Sequence, residues 1–211
     1  MARGMSETLT GSIEVDFPEF LDPPQDPMAL LAARVERATA LGVREPRALT
    51  LATVPASGQP SARIVAIIGL TAQGLLFASH ETSRKGREIA ENPRVAGLLY
   101  WRETSEQIAI AGEAVLLDEA TADERWAARP PATHAMSAAT RQSQPLDDVE
   151  DLRRTAQELA GQAPLPRPAP YRVYEIRPTE IEFWADGQER LHERLVYRRE
   201  PGRWTTVRLQ P

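Results

Sequence analysis

Arg190, His192 and Arg194 stand two residues apart near the C-terminus of the chain. Side chains two apart on a strand share a face, so two fixed cations and a titratable imidazole would project together, opposite Leu191, Glu193 and Leu195. Such a face attracts an anion, although the pattern also suits a solvated edge strand decorated with charge. Ser83-Arg84-Lys85-Gly86-Arg87 puts three cations into the first turn of a helix. The helix dipole disfavours cations there, so the segment asks for a compensating anion such as phosphate. Arg125 and Arg129, four apart at a helix end, share a face and repel unless an anion or carboxylate lies between them. Gln107, Ala109 and Ala111 would line one face of a strand and leave room for a flat polar ring, which a close-packed barrel interior explains as well. Trp126 reads as core, and Gln142-Ser143 as a polar loop.

What is missing narrows the chemistry. The chain has no cysteine, which excludes disulfides, thiolate metal sites and a cysteine nucleophile. Its three histidines, His80, His134 and His192, are not spaced as metal ligands, so no metal is expected. No Ser/His/Asp set and no carboxylate pair of glycosidase type can be assembled. A formal net charge of −5 with both signs interspersed argues against nucleic acid as a partner. No apolar run approaches a membrane span or a signal sequence, and a cytoplasmic protein is expected. What remains is a site rich in Arg and Lys donors that binds something anionic and leaves the chemistry to a cofactor.

The elements that must position these residues are mostly strands. Residues 1–27, with four prolines and few apolar residues, read as an extended or disordered arm preceding a single domain over 28–211. Met28, Leu31, Val35, Ala38 and Leu41 recur at helical spacing, and Gly42 stops that helix. Strands are expected over 47–54, 61–68 and 75–79 as a meander, then over 95–101 and 107–117 after a short helix capped by Ser83. Helices are expected over 119–128 and 147–160, and a proline-rich connector over 163–170. The chain should close with a strand over 171–176, a hairpin turning at Asp186-Gly187, and a strand around 204–209. Antiparallel strands with inserted helices predict a β-barrel with added helices, an α+β fold of six or more mostly antiparallel strands.

Read together, these segments resemble the pyridoxamine 5'-phosphate oxidase family of FMN-binding split-barrel proteins. The resemblance runs from about Arg47 to Pro211 through Arg63-Ile64-Val65, Ser83-Arg84-Lys85-Gly86, Asn92-Pro93, Gln107, Arg129-Pro130, Arg141-Gln142-Ser143, Ile181-Glu182-Phe183-Trp184, Arg190-Leu191-His192-Glu193-Arg194 and Arg208-Leu209-Gln210-Pro211. Within the family the chain is most similar to the phenazine-biosynthesis flavin oxidases, through the Tyr100-to-Ser105 and Gly187-to-Leu195 runs. The resemblance implies an obligate-type homodimer with FMN at the subunit interface. It implies FMN contacts from Arg63, Ile64, Val65, Ser79, Arg84, Lys85, Gln107, Gln142, Ser143, Trp184 and Arg194, with Arg84 and Lys85 on the phosphate.

The substrate positions implied are Ile68, Arg125, Arg129, Thr133, Arg190 and His192, the last two orienting the substrate rather than acting as covalent catalysts. Three depart from the vitamin B6 oxidases, which have a lysine where this chain has Ile68, a tyrosine for Arg125 and a serine for Thr133. Losing the lysine and tyrosine weakens the case for a B6 phosphate, and an added arginine suits a flat aromatic dicarboxylate. The implied activity is oxidation of reduced phenazine carboxylates, at the hexahydro to tetrahydro level, with O2 as acceptor and H2O2 as product. A pyridoxine/pyridoxamine 5'-phosphate oxidase and a non-catalytic flavin-binding protein are the alternatives.

Overall fold

The computed structural model describes residues 11–211. Its first helix, α1 (Pro27–Ala40), starts where Asp26 accepts from the Met28 amide and Pro27 fills a position that needs no donor. One apolar stripe of α1, with Leu31 and Val35 at its centre, packs into the main core.

Nine strands form one curled antiparallel sheet: β1 (Ala48–Thr53), β2 (Ser61–Ala66), β3 (Gly69–Leu70), β4 (Leu75–His80), β5 (Arg94–Trp101), β6 (Glu106–Leu116), β7 (Tyr171–Ala185), β8 (Glu193–Glu200) and β9 (Arg203–Arg208). The strand order is β2-β1-β5-β6-β7-β4-β3, with β8 and β9 extending from the other half of β7. The expected meander of the first three strands does not form. β4 pairs with β7 and with the two-residue β3, not with β2.

β7 is the spine. Residues 171–176 pair with β4 and residues 180–185 with β8, while β6 runs along nearly its whole length. A closing strand and a hairpin strand were expected here as separate pieces, and they are continuous. Pro178 between them is accommodated by a register irregularity opposite Ala111 and Gly112.

Helices α2 (Arg84–Glu91), α3 (Glu119–Ala127), α4 (His134–Ala139) and α5 (Val149–Ala160) are inserted between strands. Only α4 went unforeseen, and its six residues are too few to show a period. Leu75 and Phe77 of β4 face the main core, while Leu76 joins Trp126, Ala135, Leu165, Tyr171 and Val173 in a second core under α3 and α4. β4 is therefore covered on both faces, which is why it reads as a continuous apolar run.

Residues 11–26 contain one 3-10 turn, Pro18–Phe20, and are held against the body rather than left free. Phe17 is buried under the Arg34 guanidinium, Arg34 reaches Glu19 at 2.6 Å, and the Tyr197 hydroxyl donates to the Pro24 carbonyl. Phe17 and Phe20 pack on the main core, and polar side chains of the body hold the rest of this segment. The remainder of the predicted arm, residues 1–10, lies outside the described residues. Among the described residues no helix is long and apolar enough to cross a membrane, and no group of His, Cys, Asp and Glu is arranged to hold a metal ion.

Candidate functional site

The first cluster forms around the start of α2. Ser83 caps the helix by accepting from the Gly86 amide at 3.2 Å, and Lys85 Nζ donates to Ser79 Oγ at 2.9 Å and to Ser83 Oγ at 3.3 Å. Position 86 must be glycine, since a Cβ there would lie 2.3 Å from the Glu81 carbonyl oxygen. Gln142 and Ser143 arrive from a loop about sixty residues away. Ser143 Oγ accepts from the Arg84 amide at 3.0 Å, and Gln142 Oε1 from the His80 amide at 3.4 Å. This is a cradle of amides, hydroxyls and cations of the kind that holds a phosphate. Burial, and then the charge of Arg63, lowers the Lys85 pKa, so the cradle gains from an incoming anion.

Arg63 joins the cradle through a residue the sequence reading missed. Glu88, buried on α2, accepts from Arg84 Nε at 2.8 Å, Ser61 Oγ at 2.6 Å, Arg63 Nη2 at 3.2 Å and Thr53 Oγ1. Burial pushes its carboxyl up, but the donors Ser61, Thr53, Arg84 and Arg63 outweigh that and hold it at about 2. Its spacing of four from Arg84 was the available signal. Of the neighbouring strand residues, Val65 points into the main core and Ile64 outward to the surface.

A second cluster lies on the sheet. Gln107 faces Trp184 across β6–β7, and Trp184 faces Arg194 across β7–β8. With Ala109, Glu182 and Pro211 they line a shallow cleft of about 290 Å³. Ile108 and Ile110 point the other way into the core, as the alternation predicted, so the small residues beside Gln107 do leave an open floor. Glu182, also unforeseen, takes the Arg194 fork through two hydrogen bonds.

The Asp186-Gly187 turn is not the two-residue hairpin turn that the sequence predicts. The strands part after the Ala185–Glu193 pair, and the loop between holds a 3-10 turn, Gln188–Arg190, with Glu189 and Arg190 at positive φ. Gly187 is needed for close approach: a Cβ there would meet the Leu191 carbonyl oxygen at 1.8 Å. Arg190 and His192 are thus loop residues and do not alternate with Leu191 on a strand. His192 Nδ1 sits 3.0 Å from Asp186 Oδ1, and its ring lies 4.8 Å from that of Trp184. The loop brings His192 to the Trp184 cleft by a different route, while Arg190 is exposed.

The third cluster sits above the second core. Arg129, just beyond the end of α3, lies over the rings of Trp126 at 5.1 Å and Tyr171 at 5.5 Å, and its Nη2 donates to Ser137 Oγ at 3.0 Å. Among the described residues Arg125 on α3 makes one ion contact, to Glu124 at 3.9 Å, and packs beside Gly69, next to the partly buried Ile68. Thr133 gives its hydroxyl to the Pro130 carbonyl, so its side chain braces the turn. Tyr171 and His80 are register partners beneath, and neither ring nitrogen of His80 is hydrogen-bonded among the described residues. Burial, with the charges of Lys85 and Arg129, lowers the His80 pKa.

One chain does not bring all of these together. Ser79 pairs with Arg172 near the start of β7, and Gln107 pairs with Trp184 near its end. At the rise of a strand, that places the two clusters roughly 40 Å apart along β7, beyond the reach of one small ligand. Ser79, Arg84, Lys85, Arg125 and Arg129 belong to one end, and Gln107, Trp184, His192 and Arg194 to the other.

Residues 35–185 match the family described as pyridoxamine 5'-phosphate oxidase, and residues 171–211 match the pyridoxine 5'-phosphate oxidase C-terminal dimerisation region. The chain belongs to the pyridoxamine 5'-phosphate oxidase family. It is 53% identical over 212 residues to the dihydrophenazinedicarboxylate synthase of Pseudomonas chlororaphis, covering 100% of this chain and 96% of that protein. A pyridoxine/pyridoxamine 5'-phosphate oxidase of Rubrobacter xylanophilus is 41% identical over 88% of this chain and 87% of its own length. The crystal structure of PhzG from Burkholderia lata 383 in complex with tetrahydrophenazine-1-carboxylic acid superposes with a TM-score of 0.93 at 46% identity, covering 95% of this chain and 100% of that one. The split-barrel expectation therefore holds, and the family's dimerisation region is β7 to β9, the strands that carry Trp184 and Arg194.

Proposed function

We propose that the protein is a cytoplasmic, homodimeric FMN-dependent oxidase of reduced phenazine carboxylates. The cradle fits a flavin phosphate: amide, hydroxyl and ammonium donors converge at one helix start, and Lys85 has no carboxylate partner among the described residues. The cleft between Gln107, Trp184 and Arg194 fits the edge of a flat polar ring. Because these halves stand at opposite ends of β7, a complete site takes the cradle of one copy and the cleft of another, in keeping with a dimerisation region on the cleft strands.

Bound FMN would supply the redox chemistry, carrying two electrons and two protons overall from the reduced ring to O2 and yielding H2O2. The chain's own residues bind and orient. Arg125 and Arg129 take one substrate carboxylate, with Ile68 as an apolar neighbour. Arg190 and His192 of a second copy hold the other side, and the Asp186 carboxylate orients the imidazole. His192 serves as an anchor.

The observation that carries the substrate assignment is Arg125, a guanidinium beside Ile68 and Gly69 with no carboxylate nearer than 3.9 Å among the described residues. A vitamin B6 phosphate needs no second arginine there, whereas an aromatic dicarboxylate does. The test is anaerobic mixing of the FMN-loaded protein with a reduced phenazine carboxylate and, separately, with pyridoxine 5'-phosphate. Bleaching of the flavin by the first alone is expected. Bleaching by the B6 phosphate at comparable rates would instead make the protein a B6 oxidase, and no bleaching by either would leave a flavin-binding protein.

A further inference from the structure

Glu88 joins two arginines that come from different elements. Arg84 reaches it from one turn earlier on α2, and Arg63 from β2. The rest of the Arg63 fork is also occupied, Nη1 donating to Thr53 Oγ1 at 2.6 Å and to the Leu51 carbonyl at 3.2 Å. Arg84 differs: Glu88 takes only its Nε, and neither Nη group makes a hydrogen bond among the described residues. One carboxylate thus fixes both guanidiniums in place and leaves the outer edge of Arg84 open beside the Ser143 and Lys85 cradle.

We propose that Glu88 is the positioning residue of the phosphate site, braced by Arg63 and holding Arg84 so that the free Nη groups of Arg84 and the Lys85 ammonium meet a phosphate monoester. The inference rests on the FMN reading above and names the residue that makes the site selective for the phosphorylated flavin. Charge arithmetic supports it. Arg63, Arg84 and Lys85 contribute three positive charges and Glu88 one negative, leaving a balance of two that matches the roughly −1.5 to −2 of a phosphate monoester at neutral pH. Without the carboxylate, three cations would crowd one partly buried site, and the ligand itself would have to order two long side chains against their rotamer entropy. A role confined to holding α2 on β1 and β2 would need only the Thr53 and Ser61 hydroxyls, and gives no reason for two arginines on the same carboxylate.

The experiment titrates FMN and riboflavin separately into flavin-free protein and follows quenching of flavin fluorescence, for the wild type, Glu88→Gln and Ser61→Ala. Riboflavin has the same ring and side chain without the phosphate. Glu88→Gln is expected to raise the FMN Kd by about tenfold or more and leave the riboflavin Kd within about twofold. Ser61→Ala, which keeps the carboxylate but removes one donor to it, should move the FMN/riboflavin ratio the same way by about threefold. An FMN affinity that holds or tightens in Glu88→Gln overturns the proposal, because attraction to the extra cation would then outweigh positioning. Equal weakening of both flavins also overturns it, as the mark of a purely structural residue. If Glu88→Gln does not fold, an unchanged ratio in Ser61→Ala is the overturning result. Wild-type protein that binds neither flavin refutes the FMN reading itself, and that outcome is read before any variant.

Discussion

Arg194 clasps Glu182 with both arms of its guanidinium, Nε to Oε1 at 2.6 Å and Nη2 to Oε2 at 3.1 Å. The clasp holds Arg194 flat along the β7–β8 ladder beside Trp184, and its third nitrogen, Nη1, donates to the Gln210 carbonyl at 3.2 Å. Lysine cannot make that planar fork. Arg194→Lys should therefore weaken FMN binding by about tenfold with little change in Tm, read by flavin fluorescence and thermal melts. Unchanged FMN affinity would remove Arg194 from the flavin site.

A composite site predicts complementation. Lys85→Ala spoils one half and Trp184→Ala the other, so each variant alone should be nearly inactive. When the two are mixed and allowed to exchange subunits at random, half the dimers are mixed and each of those holds one intact site. About one quarter of wild-type activity should return. No recovery, once exchange is demonstrated, would mean that each site is built within one chain.

Substrate contacts should separate KM from FMN binding. Arg125→Tyr and Arg190→Ala are each expected to raise the KM for a reduced phenazine carboxylate by about tenfold while FMN stays bound. Steady-state kinetics on the flavin-loaded variants would decide, and an unchanged KM for either variant excludes that residue from the substrate site.

The N-terminal helix is tied to the sheet by a buried ion cluster. Arg34, 4% exposed, reaches Glu106 at 2.7 Å, and Arg37 reaches the same carboxylate oxygen. Glu106→Ala leaves buried Arg34 with Glu19 alone and Arg37 with the Asp16 carbonyl, and should cost about 3 kcal/mol, measured by urea unfolding. For a chain of this length each kcal/mol moves Tm by about 2–4 °C, so a drop on the order of 10 °C is expected. A change below about 1 kcal/mol would show that the arginines find water instead.

Glu88 also gives stability a pH signature. Its folded pKa of about 2 lies below the ordinary carboxylate value of 4.5, so the stabilisation it brings is complete above about pH 4.5 and fades as pH falls toward 2. Urea midpoints of wild type and Glu88→Gln should converge over that window and stay apart above it. A gap that does not depend on pH would refute the charge-based account.

Local pattern made much of the molecule legible. The α2 start announced itself because a capping serine, three cations and a glycine are all local features. The face shared by Gln107 and Ala109 followed from a period of two and needed no partner strand. Glu88 was within reach of the same reasoning, lying one helical turn from Arg84. Ser137 was not, since a lone serine in a short helix carries no pattern, and its bond to Arg129 exists only after the turn at Pro130-Pro131 folds back. Asp186-Gly187 misled because the dipeptide specifies a turn without specifying its length.

The sequence by itself determined most of the helices and strands, the anion-seeking helix start and the family, all of which depend on residues near one another in the chain. Only the tertiary structure decided that β7 is one continuous strand, and hence that the cradle and the cleft stand at its two ends. Strand pairing is a long-range choice set by which faces can be buried together, and periodicity is blind to it. That choice separates binding residues that look like one site on paper into two clusters, which the proposed FMN site would draw from two copies of the chain.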